Sequence, residues 1–411
     1  MPSLAIPQRI EHLAGRIIDV DSHESMPIQM WIDAFGDVAE PLVESVRQHL
    51  DPKARNGNNL NIPDFPGDVQ EISPDSIWTI KGARAPGAAD LRRRDAVLDL
   101  TGVDRQLMFP GSLGLYGVMV RTGSGSASRL GIGQEFDAEA YSDVLLATYN
   151  DWIVRTWNDP AMSSRCRPVA VLYGRDPGDV LANLKNLHAE GVRAICVVGT
   201  EMIGGLSPAH RDLDPVWQYC QDNDVTVLVH IGDQGSFLRY RTWNDAPVFE
   251  GYRKGNEFDL DPWSCTSVHL GAQNFVATMV VGGVFERHPR LRCGAIEFGA
   301  YWIGPLMRMM DMWWEHGGLG SGTLHENWPH LKHAPSFYVR RNIRVSAFPF
   351  ERVDEYIDEY GLEDVICYAS DYPHVEGGKD PMVQFSNRLE RLGAEVTEKF
   401  FVRNGSWLLP E

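Results

Sequence analysis

The chain of 411 residues reads as an α/β protein, a (β/α)8 barrel of the TIM type, and three observations predict it. Short apolar runs of strand length alternate with longer runs of helical period, the pattern of a parallel sheet covered by helices. Eight such units can be counted, the number that closes a parallel barrel. Three runs far apart in sequence, Ile17–His23, Thr226–His230 and Val365–Asp371, each end in a residue type suited to metal binding or proton transfer. A closed parallel barrel gathers the C-terminal ends of all its strands at one face. An open doubly wound sheet would not bring its first, fifth and eighth strand ends together.

The first strand is expected over Arg16–Ser22, where Ile17, Ile18 and Val20 supply β-branched density. A helix over Leu91–Leu100 leads to the second strand, Arg105–Phe109, and a long helix over Ala138–Trp157 to the third, Pro168–Leu172. The helix Pro177–Ala189 has Asp176 as N-cap, Pro177 at its first position and Gly191 beyond its end, and the strand Ala194–Val198 follows. Asp214 takes the same capping place before Pro215–Gln221, which leads to the strand Thr226–His230. The remaining pairs are helix Gln273–Arg287 with strand Arg292–Glu297, helix Tyr301–Trp314 with strand Ile343–Ser346, and helix Glu351–Tyr360, closed by Gly361, with strand Val365–Ser370. The tail Val396–Trp407 reads as a closing helix.

Three connections exceed the usual length of about 4–6 residues: 34–90, 111–136 and 233–267. All follow a strand, so all rise over the C-terminal face. The second is rich in Gly and Ser but lacks Gly-Lys-Ser/Thr, which excludes a phosphate cradle. The third carries Phe237, Tyr240, Trp243, Phe249, Tyr252 and Trp263, a load suited to an apolar lid or a subunit contact. No linker, internal repeat or low-complexity tract interrupts the pattern, so residues 1–411 are expected to form a single domain.

A formal net charge of −18 argues against nucleic acid or an anionic membrane surface as partner. The six cysteines (Cys166, Cys196, Cys220, Cys265, Cys293 and Cys367) show no CxxC spacing. Four lie in apolar runs, as free buried thiols do in a reducing cytoplasm. Met1–Gly15 lacks a cationic start with an apolar core, so no secretory signal is expected. Phe275–Phe285, the longest apolar stretch, is too short to cross a bilayer. A cytoplasmic protein acting on a small molecule is the expectation.

The chemistry rests on the strand ends. Asp21 and His23, two apart, point the same way along a strand. With His230 and Asp371 they offer two carboxylates and two imidazoles, a donor set for one divalent ion. Glu297, at the end of the sixth strand, adds a carboxylate that could be a ligand, an acid–base group or a strut for a ligand histidine. A bound ion would lower the pKa of its water to about 7, with Asp371 as proton acceptor. His374, three residues on, could orient Asp371 or polarise the substrate. Glu24 and His269 are further ligand candidates, and Arg84, Arg121 and Arg241 are loop cations able to anchor a substrate carboxylate. No Ser or Cys sits in a Gly-x-Ser-x-Gly context, which leaves covalent catalysis without support.

Four segments carry a resemblance: Asp21-Ser22-His23, the run from Gly102 to Pro110, the run Gly282-Gly283-Val284-Phe285-Glu286-Arg287-His288-Pro289, and Ser370-Asp371-Tyr372-Pro373-His374. In these the chain resembles the amidohydrolase superfamily, in the amidohydrolase-2 or aminocarboxymuconate-semialdehyde decarboxylase-like branch. The resemblance implies a (β/α)8 barrel and one divalent metal, zinc or manganese most often and iron in some relatives. It also implies C–C cleavage of a carboxylate or hydrolysis of a small substrate, by a homo-oligomer or by a hetero-oligomer with a paralogous subunit. By position, Asp21, His23, His230 and Asp371 would be the ligands. The chain departs from the pattern in three places. Asp21 stands where His is frequent, Met26-Pro27 stands where many relatives have Glu-Pro, and Glu297 replaces the histidine that the decarboxylases carry on strand six. These departures leave two alternatives beside a mononuclear lyase or hydrolase: an iron or manganese oxygen-activating enzyme, and a non-catalytic partner subunit.

Overall fold

The computed structural model describes residues 5–49, 61–123, 137–232, 246–248, 265–316 and 328–409. Its eight strands are β1 (Ile17–Asp19), β2 (Val103–Met108), β3 (Cys166–Val171), β4 (Ala194–Cys196), β5 (Thr226–His230), β6 (Cys293–Ile296), β7 (Ile343–Ser346) and β8 (Ile366–Cys367). They lie in sequence order, each parallel to the next, so the predicted (β/α)8 barrel is the fold.

The seam between β8 and β1 is closed by main chain beyond the regular strands. Val20 N donates to Tyr368 O at 3.2 Å, Asp371 N to Asp21 O at 3.0 Å and His23 N to Tyr372 O at 2.7 Å. A buried side chain, Asp19, crosses the same seam. Its Oδ1 accepts from Ser370 N at 2.9 Å, and its Oδ2 from Ser370 Oγ at 2.5 Å. Burial pushes the Asp19 carboxyl up to about 7, against the pull of these donors.

Alternation along the strands sorts the core into two layers. Ile18, Val20, Leu107, Phe109, Val169, Ala194, Cys196, Leu228, Ile296, Cys367 and Ala369 fill the interior together with Leu408 and Leu409. Their neighbours Ile17, Met108, Ala170, Ile195, Val227, Val229, Ala295 and Val345 pack outward against the helices. The C-terminal segment closes the end where the strands begin: Thr226 Oγ donates to Leu408 O at 2.7 Å. The opposite end is left for the chemistry.

Several helices differ from expectation. The expected helix Gln273–Arg287 is two, Leu270–Val281 and Val284–Arg287, because Gly283 adopts a left-handed φ of 69° between them. Asp176 caps its helix as expected, accepting from Gly178 N and Asp179 N. Asp214 does not cap. It lies in the first turn of Asp214–Asp222 and accepts from Arg287 Nε at 2.9 Å, with His288 Nε2 at 3.2 Å. The Gly-Gly-Val-Phe-Glu-Arg-His-Pro run therefore joins two outer helices rather than serving the barrel mouth. The loops expected over 34–90 and 111–136 contain helices of their own, Glu40–His49 and Leu113–Thr122. The tail forms two helices flanking a π-turn at Lys399–Arg403. No helix among the described residues is long and apolar enough to cross a membrane.

Candidate metal centre

Six side chains from four strand ends meet at the mouth. His230 ends β5 on the interior face, two residues after Leu228. Its Nδ1 lies 2.9 Å from Ile231 O, a contact that places the ring proton on Nδ1 and turns Nε2 toward the cavity. Nε2 stands 3.0 Å from Glu297 Oε2 and 3.4 Å from Asp21 Oδ1. His23 Nε2 lies 3.4 Å from Asp21 Oδ1, 3.6 Å from Asp371 Oδ1 and 3.7 Å from Glu297 Oε2. His374 stacks on His23 with ring centroids 4.0 Å apart, and its Nδ1 is 2.9 Å from Asp371 Oδ1. All six side chains are buried.

Backbone conformation aims two of these groups. Ile296 faces the interior, so strict alternation would point Glu297 away from it. Glu297 instead has φ 65° and Asp371 φ 51°, left-handed conformations that cost a side-chain-bearing residue about 1–2 kcal/mol. The surroundings hold them there. Glu297 N donates to Ser346 Oγ at 2.7 Å, and Asp371 N is tied to Asp21 O across the seam. Such outliers concentrate where function needs a particular direction.

The electrostatics belong to one coupled cluster. Burial lowers His230, but Glu297 and Asp21 outweigh it and lift the imidazole to about 10. Burial and His374 likewise pull His23 down, and Asp21 and Glu297 leave it above its ordinary value. Glu297 is raised by burial but held well below the usual carboxylate range by His230 and His23. Burial, aided by Glu297, pushes Asp371 up to about 6.

Two overlapping groups can hold an ion: Asp21, His23, His230 and Glu297, and His23, Glu297, Asp371 and His374. In each, one donor atom per residue lies within 4.8 Å of all the others. The donors are carboxylate oxygens and imidazole nitrogens, suited to zinc, manganese or iron. Both ring nitrogens of His23 and Oε1 of Glu297 have no hydrogen-bond partner among the described residues. A buried imidazole and carboxylate in that state suit a cation as their partner.

A family model described as Amidohydrolase matches residues 124–406. The chain belongs to the amidohydrolase-2 family. No curated protein sequence matches it, but solved structures do. An amidohydrolase from Mycobacterium avium subsp. paratuberculosis K-10 is 22% identical with a TM-score of 0.65, over 96% of this chain and 99% of that one. A 5-carboxyvanillate decarboxylase from Sphingomonas paucimobilis is 17% identical with a TM-score of 0.54, over 96% and 98%. A 2,6-dihydroxybenzoate decarboxylase from Rhizobium is 14% identical with a TM-score of 0.54, over 96% and 98%.

In this amidohydrolase-2 chain the other residues singled out from sequence lie elsewhere. Glu24 is buried beside the cluster, but its Oε1 accepts from Gly111 N at 2.9 Å, Ser112 N at 2.8 Å and Ser112 Oγ at 2.7 Å. It pins the turn after β2. Gly111 is required there, since a Cβ would fall 1.9 Å from Glu24 O. His269 is half-buried, with Nδ1 2.9 Å from Tyr301 OH. Arg121 is occupied by Glu201 at 2.8 Å and Asp143 at 2.9 Å. Arg84 is exposed at the end of the short helix Gly82–Arg84. Arg241 and the six aromatic residues from Phe237 to Trp263 lie outside the described residues. Sequence reasoning missed Asp19 and Arg94. Arg94 is fully buried and donates from Nη2 to His23 O at 2.7 Å. Its signal was its position on the apolar stripe of Leu91, Val97 and Leu98, where a charge is out of place.

Proposed function

We propose that the chain is a divalent-metal-dependent carboxy-lyase that removes a carboxyl group from a small organic acid. The observation that carries this is the buried convergence of Asp21, His23, His230 and Glu297 on one point, with the Asp371–His374 pair directly beside it. The decarboxylases among the similar structures support the choice of reaction over hydrolysis. The first four residues would hold the ion. An ion bound there supplies Lewis acidity and a docking point for a substrate carboxylate.

The rest is done by the protein. Breaking the C–C bond to the departing carboxyl leaves its electron pair on the substrate carbon, and that carbon must take up a proton. Asp371, pushed up by burial and by Glu297, stands beside the cluster as the proton carrier, with His374 Nδ1 2.9 Å from its Oδ1 to exchange protons with it. Phe109, packed on His230 with centroids 4.3 Å apart, keeps water from one side of the cluster. Zinc or manganese suits the donor set, and a small-molecule substrate in a homo- or hetero-oligomer fits the family.

The test is elemental analysis of protein purified without added metal, followed by assay of a panel of small aromatic and aliphatic acids and amides. About one zinc or manganese per chain is expected, with CO2 release that Asp371→Asn lowers by roughly 100-fold or more. Amide hydrolysis without CO2 would replace the lyase by a hydrolase. Two ions including iron would indicate oxygen chemistry. An ion that resists chelation in protein with no turnover would indicate a non-catalytic partner subunit.

A further inference from the structure

We infer that Arg94 is a positioning residue for the metal centre, acting through the main chain at the β8–β1 seam rather than by touching the ion. The inference rests on the metal reading above.

Arg94 begins the helix Arg94–Thr101 and is 0% exposed. Its guanidinium works as a fork. Nη2 donates to His23 O at 2.7 Å and Nε to Gly87 O at 2.9 Å, while Cζ lies over the Tyr372 ring, 5.0 Å from its centroid. Nη1 has no hydrogen-bond partner among the described residues. A buried guanidinium costs several kcal/mol to desolvate, and here two carbonyls and an aromatic face are its compensation. A purely structural site is better filled by an apolar residue.

Those contacts converge on one strap. Residues 82–88 cross the ends of β1 and β8: Gly82 N donates to Pro373 O at 2.9 Å, and Ser25 N to Ala88 O at 2.9 Å. Tyr372 OH donates to Pro86 O at 2.5 Å. Gly87 has φ 70°, and a Cβ there would lie 3.3 Å from Arg94 N and Cα, so strap and helix are in tight contact. Arg94 thus fastens the carbonyl of His23 and, through the strap, Tyr372 and Pro373, the residues between Asp371 and His374. Its removal leaves every donor side chain of the centre in place but frees the backbone that sets their separation. Lysine cannot replace it, because one ammonium on a flexible stem does not hold two carbonyls in a fixed plane.

The test measures metal affinity on chelated full-length protein, by calorimetric titration with Mn2+ and separately with Zn2+. Arg94→Lys and Arg94→Met should weaken binding by about 10–100-fold, the usual effect of losing a partner behind the ligands. Gly87→Ala, which pushes the strap off Arg94 and leaves the guanidinium present, should weaken it in the same direction. Added guanidinium ion should restore affinity to Arg94→Ala. Circular dichroism and melting curves on the same samples report folding. Folded Arg94→Lys and Gly87→Ala proteins with wild-type dissociation constants would overturn the inference, even if their melting temperatures fall. Failure of the wild-type protein to bind either ion would instead overturn the metal reading itself.

Discussion

Glu24 offers the sharpest test of how the barrel mouth is built, because the sequence suggests a metal ligand and the structure shows a strut. One carboxylate oxygen accepts from Gly111 N, Ser112 N and Ser112 Oγ in a fully buried setting. In Glu24→Ala, all three donors lose their acceptor. Each unsatisfied buried donor costs about 1–3 kcal/mol, a total of roughly 3–9 kcal/mol. Removing a buried carboxylate returns several kcal/mol of desolvation, and the Ser112 hydroxyl can rotate away. A net loss of about 1–3 kcal/mol remains after those two offsets. In Glu24→Gln the amide oxygen can still accept all three bonds, now without charge assistance, for a loss of about 1–2 kcal/mol. Urea unfolding with chelator present measures both variants without any contribution from metal. An alanine variant that loses less than about 1 kcal/mol would refute the strut. Metal titration of Glu24→Gln separates the two roles. Wild-type affinity is expected, and a tenfold or greater loss would make the free Oε2 a ligand after all.

Metal binding should release protons. His230 keeps its proton up to about 10 in the metal-free protein, against an ordinary value of 6.5, so an ion that takes Nε2 must displace it. Affinity therefore rises with pH across that window. By the same linkage, the stability that His230 lends the metal-free protein is complete below 6.5 and is lost as pH rises through about 10. Calorimetry in buffers of different ionisation enthalpy measures the release, and pH-independent binding would contradict it. Gly304→Ala should destabilise the protein by about 1–3 kcal/mol, because the new Cβ would lie 2.4 Å from the Tyr360 ring. This outweighs the gain of about 1 kcal/mol in helix propensity, and an unchanged melting temperature would show that the Tyr360 ring yields.

The parts of the fold that follow from local rules were legible in the sequence. All eight strands lie where apolar density placed them, and Ala138–Trp157 and Pro177–Ala189 have the predicted ends because a capping Asp fixes each start. What stayed hidden depends on geometry that alternation cannot express. Glu297 was legible as a rim carboxylate, but the left-handed turn that brings it into the cluster was not. Asp214 left its cap because Arg287, distant in sequence, is a stronger partner. The convergence of Asp21, His23 and His230 was readable because barrel topology carries strand ends to one face. Asp19 was not, since alternation does not show that it reaches Ser370 across the seam, and Arg94 gave only the sign of a charge on an apolar stripe, not its main-chain partners.

The seal that Leu408 and Leu409 form at the far end of the cylinder has a consequence for traffic. With Ile18, Leu228 and Gly405 packed around it, that end is filled by side chains. Under the proposed reaction, reactant and product would share one way in and out, the rim where the strands end.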